Sequence, residues 1–231
     1  MNSRSNLFLV LAAFVVSGMV LSPIPVENVL NNNPYKEKNF TGKNVFLKSQ
    51  KTLVYNSTFG KTYSSIQKKD SFYIMTTKGE DFFYRQTYLM KNDGIYIYET
   101  YQKMSPMIFV NIEELFTYNK PVLRMPLPFI VSKKWEWKGM EYSDGDENRL
   151  TVSGEIKGVK SLQTKAGTFE TILFETSINS SSGTKNFVKE WISEEYGIIK
   201  SEIEINGGGI MGTLRDLLGY GKIYFELEEV K

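Results

Sequence analysis

The sequence predicts a mainly β protein: a curved antiparallel sheet or incomplete β-barrel of about 10–11 strands with one or two short helices. Three observations carry that expectation. From Val45 onward, short runs rich in Phe, Tyr, Ile and Thr recur, and these residues suit a pleated, half-buried surface. The runs are separated by turn pairs such as Lys69-Asp70 and Lys78-Gly79, too closely spaced for helical crossovers, so neighbouring strands run antiparallel. Hydrophobic residues make up 41% of the 231 and aromatics 14%, enough to fill a sizeable core and to exclude a disordered chain.

The N-terminus stands apart from this pattern. Arg4 precedes Leu7–Leu21, a run of apolar and small residues that at ~1.5 Å per residue reaches about 22 Å, short of a ~30 Å hydrocarbon core. With small residues at Ser17 and Gly18, residues 1–22 read as a secretory signal peptide; the competing reading is an uncleaved anchor running on through Pro23 and Ile24. Both place the following domain outside the cytoplasm, in the periplasm or cell envelope. Residues 23–43, with the stretch "NVLNNNPYKEKN", read as a flexible spacer, and 44–231 as a single antiparallel β domain. The chain has no Cys, so it has neither a disulfide framework nor a lipid-bearing Cys.

Along the domain, "SFYIMTT", "DFFYRQTYLM" and "GIYIYETYQ" are strands, and Asn92-Asp93-Gly94 is the strongest hairpin signal because Asp-Gly supplies positive φ angles. "VNIEELFTYNK" (Val110–Lys120) is a candidate short helix stopped by Pro121. "KKWEWKGMEY" puts Trp135 and Trp137 on one face of a strand. "KAGTFETILFETSI" is a turn at Gly167-Thr168 followed by a strand, with Phe169, Ile172 and Phe174 expected to pack beside Trp191 and Ile199. In "IIKSEIEI", Ile199, Ile203 and Ile205 face one way and Lys200, Glu202 and Glu204 the other. A second helix candidate, Met211–Leu218, is bounded by glycines and placed at the mouth of the sheet's concave face.

Several chemistries are excluded. His is absent as well as Cys, which removes Ser-His-Asp triads, Cys-His dyads and imidazole zinc sites. A hydrolase would need carboxylates, Lys or Tyr converging in a cleft, and no spacing advertises them, so no enzyme, catalytic residue, cofactor or metal is expected. Glu194 and Glu195 are adjacent and would point to opposite faces of a strand. The 28 basic and 26 acidic residues are interspersed, giving no footprint for nucleic acid. "GGGIMG" (207–212) contains GxGxxG, but antiparallel strands precede it and only nineteen residues follow, so it reads as a hinge. Asp144, Asp146, Asn148 and Glu155 hold positions 1, 3, 5 and 12 of a calcium loop, yet Arg149 stands where the turn glycine belongs, so a solvated hairpin is the better reading. The aromatics Phe82, Tyr84, Tyr96, Tyr98, Trp135 and Trp137, with Met211, Leu214 and Leu218, are the candidate lining of an apolar pocket; the same residues would equally fill an ordinary core.

The segment "KAGTFETILFE", followed after about twenty residues by Trp191, Tyr196, Gly197, Ile199, Lys200 and Glu202, resembles the PAGTF…WYAPGVGLVKxE signature of exported bacterial proteins of the TapB-like, domain-of-unknown-function class. "MPLPFIVSKKWEWKG" is similar to their "LPLPLKVGKKWxY" entry segment, so the likeness spans Pro121 to Ile205. Lys165 stands in place of the usual Pro, Ser132 of a Gly, and Glu194-Glu195 of Ala-Pro-Gly-type turn residues. The resemblance implies a curved sheet loosely like that of the LolA/LolB carriers, whose concave side holds acyl chains. The expected function is that of a non-enzymatic exported envelope protein with a lipid or other apolar ligand as its partner. The alternative is a structural or protein-interaction module of the envelope, and membrane contact is expected only through an uncleaved N-terminal segment.

Overall fold

The computed structural model describes residues 40–42, 51–107, 110–206 and 221–231. Twelve strands follow one another: β1 Leu53–Ser57, β2 Gly60–Lys69, β3 Phe72–Lys78, β4 Phe82–Met90, β5 Gly94–Met107, β6 Val110–Pro126, β7 Lys134–Ser143, β8 Asp146–Thr164, β9 Gly167–Ser180, β10 Lys185–Ser193, β11 Gly197–Asn206 and β12 Lys222–Val230. Each pairs antiparallel with its sequence neighbours, and β1 pairs with β12, so the sheet closes into an up-and-down barrel. The expected curved sheet is therefore a closed barrel with more strands than anticipated. Closure pairs the edges that an open sheet would leave exposed.

The helix expected over Val110–Lys120 is instead part of β6, paired with β5 from Lys103↔Glu113 to Thr100↔Phe116. Its period is 2: Glu114 and Phe116 are buried while Leu115 points outward. Long-range pairing with β5 outweighs the local helical reading. Pro121 falls in a bulge, where Ile97↔Val122 gives way to Glu99↔Thr117, a position that tolerates a missing N–H. The second expected helix, Met211–Leu218, lies outside the described residues, as do Gly207–Gly212. The hairpin at Asn92-Asp93-Gly94 forms, although Gly94 already opens β5, pressed against Leu123, and needs no positive φ.

Alternation places apolar residues inside and charges outside. On β11, Ile199, Ile203 and Ile205 are buried, and Lys200, Glu202 and Glu204 face out. Outward ion pairs run along and across strands, with Lys157 near Glu155 on its own strand (3.1 Å) and Glu175 on the next (3.8 Å), Lys189 near Glu175 (3.5 Å) and Lys200 near Glu226 (3.0 Å). Each stabilises little. Together they mark an exterior that faces water, the reverse of the apolar band on a membrane-spanning barrel.

Eight strands already make a barrel about as wide as its side chains can fill, so twelve in a circle would enclose a hollow. Here the wall is pressed in. Phe82 on β4 and Phe225 on β12, four strands apart around the barrel, have ring centroids 6.1 Å apart, and Phe59 stacks on Phe82 at 4.6 Å. A second aromatic layer joins Phe129, in the β6–β7 loop, to Phe174 on β9 at 4.8 Å, with Trp135 6.0 Å from Phe174. Phe40 seals that layer: it bridges to Phe129, whose N–H donates to the Phe40 carbonyl at 3.1 Å. Thus residues 40–42, at the end of the stretch read as a spacer, pack on the barrel.

Candidate functional site

Within the apolar interior lies a buried polar group. Arg124 on β6 reaches across to Glu190 on β10, its Nη2 donating to Oε1. Both side chains are withdrawn from water. Burial alone would push the Arg124 guanidinium toward neutrality, but Glu190 and the nearby Tyr88 and Tyr84 hydroxyls overcome this and hold it charged. Tyr84 and Tyr88 project from β4 at alternate positions with Gln86 between them; Tyr88 donates to Gln86 Oε1, and Gln86 Nε2 donates to Thr100 Oγ1 at 3.2 Å. Burial pushes the Tyr88 hydroxyl up to about 12, with Arg124 opposing, and raises Tyr84 as well. An ion pair in this position costs desolvation but fixes how opposite walls of the barrel are registered.

A second buried group lies at the β6–β7 junction. Glu141 is 1% exposed and its Oε1 has no partner. Burial raises its carboxyl to about 8, with the charge of Glu114 adding to the effect. Glu114 is raised by burial too, and the Ser143 hydroxyl, which donates to its Oε2, partly offsets this. The Glu141 carboxyl can hold a proton at neutral pH, but both side chains are enclosed. Among the described residues no group of three or more Asp or Glu side chains is arranged to hold a metal.

The candidate calcium ligands do not converge. Asp144 (φ 45°) and Gly145 (φ 86°) form a tight two-residue turn between β7 and β8. Glu155 lies nine residues beyond Asp146 along extended β8, about 30 Å away at ~3.3 Å per residue, opposite Lys134 and paired with Lys157. Glu194 is engaged elsewhere, accepting from the Gly42 N–H at 2.7 Å and the Thr41 hydroxyl at 3.0 Å.

The aromatic candidates divide between two surfaces. Phe82, Tyr84, Trp135 and Trp137 point inward and are buried in the core. Tyr96 and Tyr98 point outward, with Tyr98 5.2 Å from Phe72. A bulge at Thr87/Tyr88, opposite Glu99 and Ile97, leaves Tyr98 unpaired with β4. Met211, Leu214 and Leu218 lie outside the described residues. Ile172 and Phe174 pack inward with Ile199 as expected, whereas Trp191 faces out, under the Lys200 ammonium at 5.8 Å.

Sequence reasoning missed the polar centre and the glycines that seat the two tryptophans. A Cβ on Gly154 would lie 2.3 Å from the Trp135 ring, and one on Gly139 2.3 Å from Trp137. Both indole N–H groups are buried without an acceptor, and Gln102 Oε1 and Asn186 Oδ1 are buried without a donor. The signal was the glycine inside each strand pattern, which marks a close approach. Trp137 fills the seam where β6 and β7 pair only through Thr117↔Tyr142 and Tyr118↔Glu141, and there the Asn119 side chain accepts the Met140 N–H at 2.9 Å.

Outside, an open groove of about 610 Å³ runs over β7–β10, lined by Lys134, Glu136, Ser153, Glu175 and Phe187 among others. On β4–β5 an aromatic stripe pairs Phe83 with Tyr101 at 5.6 Å, and Arg85 lies 5.1 Å over Tyr101.

With the geometry in place, the chain's likenesses can be set beside it. A model of the DUF3108-like family matches residues 140–214, which begin in β7 and take in β8–β11. No curated protein matches. A solved structure of a provisionally assigned lipoprotein from Parabacteroides distasonis is similar at 13% identity and a TM-score of 0.39, over 78% of this chain and 94% of that one. The family match thus falls on the part of the barrel that carries Glu141, Gly154 and Glu190 and most of the lining of the outer groove.

Proposed function

We propose that this chain is an exported protein of the bacterial cell envelope that works without catalysis, as a rigid barrel whose outer surface binds a partner. The observation that carries the reading is the closed interior: Phe82 meets Phe225, and Phe129 meets Phe174, across a barrel held at its centre by Arg124 and Glu190. The apolar Leu7–Leu21 segment supports export, and the lack of His and Cys supports a non-enzymatic role. The carboxyls best placed for proton transfer, Glu114 and Glu141, are buried away from any substrate.

A second reading, an apolar or amphipathic ligand held within the barrel, is favoured by the unpartnered Trp135 and Trp137 indole N–H groups and by Gln102 and Asn186. Buried polar atoms ordinarily have partners, and a ligand headgroup would supply them. Native mass spectrometry of the protein purified from its own envelope separates the two. The first reading expects the mass of the polypeptide alone, and a stoichiometric lipid adduct would establish the second.

A further inference from the structure

We infer that the end of the barrel carrying the β6–β7 loop is a docking surface for an anionic phospholipid bilayer. This rests on the reading of the protein as an exported surface-binding barrel and names the partner for one face of it. The loop tip is apolar and unpartnered: Ile130 is 54% exposed and Val131 47%. It is held rigidly, because Ser132 N–H donates to the Ile156 carbonyl at 2.6 Å and Ile156 N–H donates back to the Lys133 carbonyl at 3.0 Å. Lys133 and Lys134 follow after Ser132; the Lys133 ammonium also donates to the Leu127 carbonyl at 3.0 Å, and Lys134 is exposed. Isolated exposed apolar residues mean little, but a fixed apolar tip beside lysines matches a headgroup region, where alkyl chains bury and ammonium groups meet phosphates.

The charge of the two ends agrees with this. Alternate turns of an up-and-down barrel share an end, so the β6–β7 loop lies with the β2–β3 and β4–β5 turns, which bring Lys69 and Lys91. The Leu127 N–H donates to the Asp93 carbonyl at 2.8 Å, which ties the β4–β5 turn to the loop. The opposite end shows Glu80 and Asp81 at the β3–β4 turn and Asp144, Asp146 and Glu147 at the β7–β8 turn, against Lys61, Lys78, Lys185 and Lys222 at its strand ends. Acidic groups at the basic end include Asp70, Asp93, the Glu194-Glu195 turn and Glu229, of which Asp93 accepts from the Tyr96 hydroxyl, Glu194 holds the Thr41-Gly42 strap and Glu229 lies 3.3 Å from Lys231.

That strap meets the barrel at the same end. Gly42 sits at φ 68°, and a Cβ there would lie 2.4 Å from Leu127 Cδ2 and 2.8 Å from the Phe129 ring, so the chain meets the barrel against the base of this loop. The residues preceding Phe40 include the apolar Leu7–Leu21 stretch. A chain attached to the bilayer through that stretch would be tethered from this end. Tethering raises the local concentration, so a small apolar tip and a few lysines suffice for contact.

The test uses the full chain, which has no native Cys, carrying one environment-sensitive fluorophore at Val131→Cys or, at the acidic end, at Glu147→Cys. Each is reconstituted with vesicles of phosphatidylethanolamine and phosphatidylglycerol at roughly 7:3, and with phosphatidylcholine vesicles. The expected result is a blue shift and an about two-fold rise in emission at position 131 alone, on the anionic vesicles alone. The response is lost at about 0.5 M NaCl, where the screening length falls below ~5 Å. It is also lost on adding Lys133→Glu and Lys134→Glu, with the salt series standing alone if that variant misfolds. Equal emission at 131 and 147 on vesicle-bound protein, or a shift at 131 that ignores lipid charge and salt, overturns the inference. A lipid adduct in the mass spectrum with the shift at 131 intact would overturn the closed-barrel reading and leave the docking surface standing.

Discussion

Replacing Glu141 by Gln removes a carboxyl that the fold holds near pKa 8, against an ordinary value near 4.5. The native state therefore binds more protons than the unfolded chain between those values, and stability falls as pH rises through that window. Below about pH 4.5 both states are protonated and the penalty vanishes; above about pH 8 it is complete. From the two pKa values the penalty is about 1 kcal/mol at pH 5, about 3 at pH 7 and about 5 at pH 9. Gln keeps the shape and stays neutral, so the variant should match the parent near pH 5 and exceed it increasingly toward pH 9. For a barrel of this size each kcal/mol moves Tm by about 2–4 °C. The assay is thermal unfolding by circular dichroism at pH 5, 7 and 9, comparing Glu141→Gln with the parent and with exposed Glu147→Gln as a control. Parallel Tm-versus-pH curves for Glu141→Gln and the parent would refute the assignment of a buried, protonated Glu141.

Three further outcomes can be checked by urea denaturation. Arg124→Met or Glu190→Leu alone should lose about 3–5 kcal/mol, because each strands a buried charge, while the double replacement should recover most of the loss; additive losses would contradict a direct cross-barrel pair. Gly154→Ala should cost about 1–3 kcal/mol and change Trp fluorescence, since its Cβ would enter the Trp135 ring; unchanged emission and midpoint would contradict that packing. Glu194→Ala should release the Thr41 and Gly42 donors and raise amide exchange at Phe129, whose N–H is covered by Phe40, with a loss of about 1.5–3 kcal/mol at most; unaltered exchange at Phe129 would show that the strap does not depend on Glu194.

The class of fold was legible in the chain because antiparallel strands announce themselves locally. Alternation in "IIKSEIEI", the turn at Gly167 and the spacing of hairpins all survive into the structure, and every one depends on residues within a few positions of each other. Val110–Lys120 was misread for the same reason in reverse: its partner strand, β5, settled its conformation from outside the window. The aromatic candidates divide between two surfaces because a β-bulge at Thr87/Tyr88 shifts the register between β4 and β5, which spacing along one strand cannot show.

By itself, then, the sequence determined the strand-forming chemistry, the absence of imidazole and thiol groups, and the apolar N-terminal segment, all properties of composition and short-range pattern. Tertiary structure alone decided that β1 meets β12 to close the barrel, that Arg124 finds Glu190, that Glu141 is buried beside Glu114, and that Ile130 and Val131 stand out at the basic end. Each of these joins groups far apart in the chain or depends on what the rest of the chain leaves uncovered. Contacts of that kind are set by closure and packing of the whole sheet, and no local pattern encodes them.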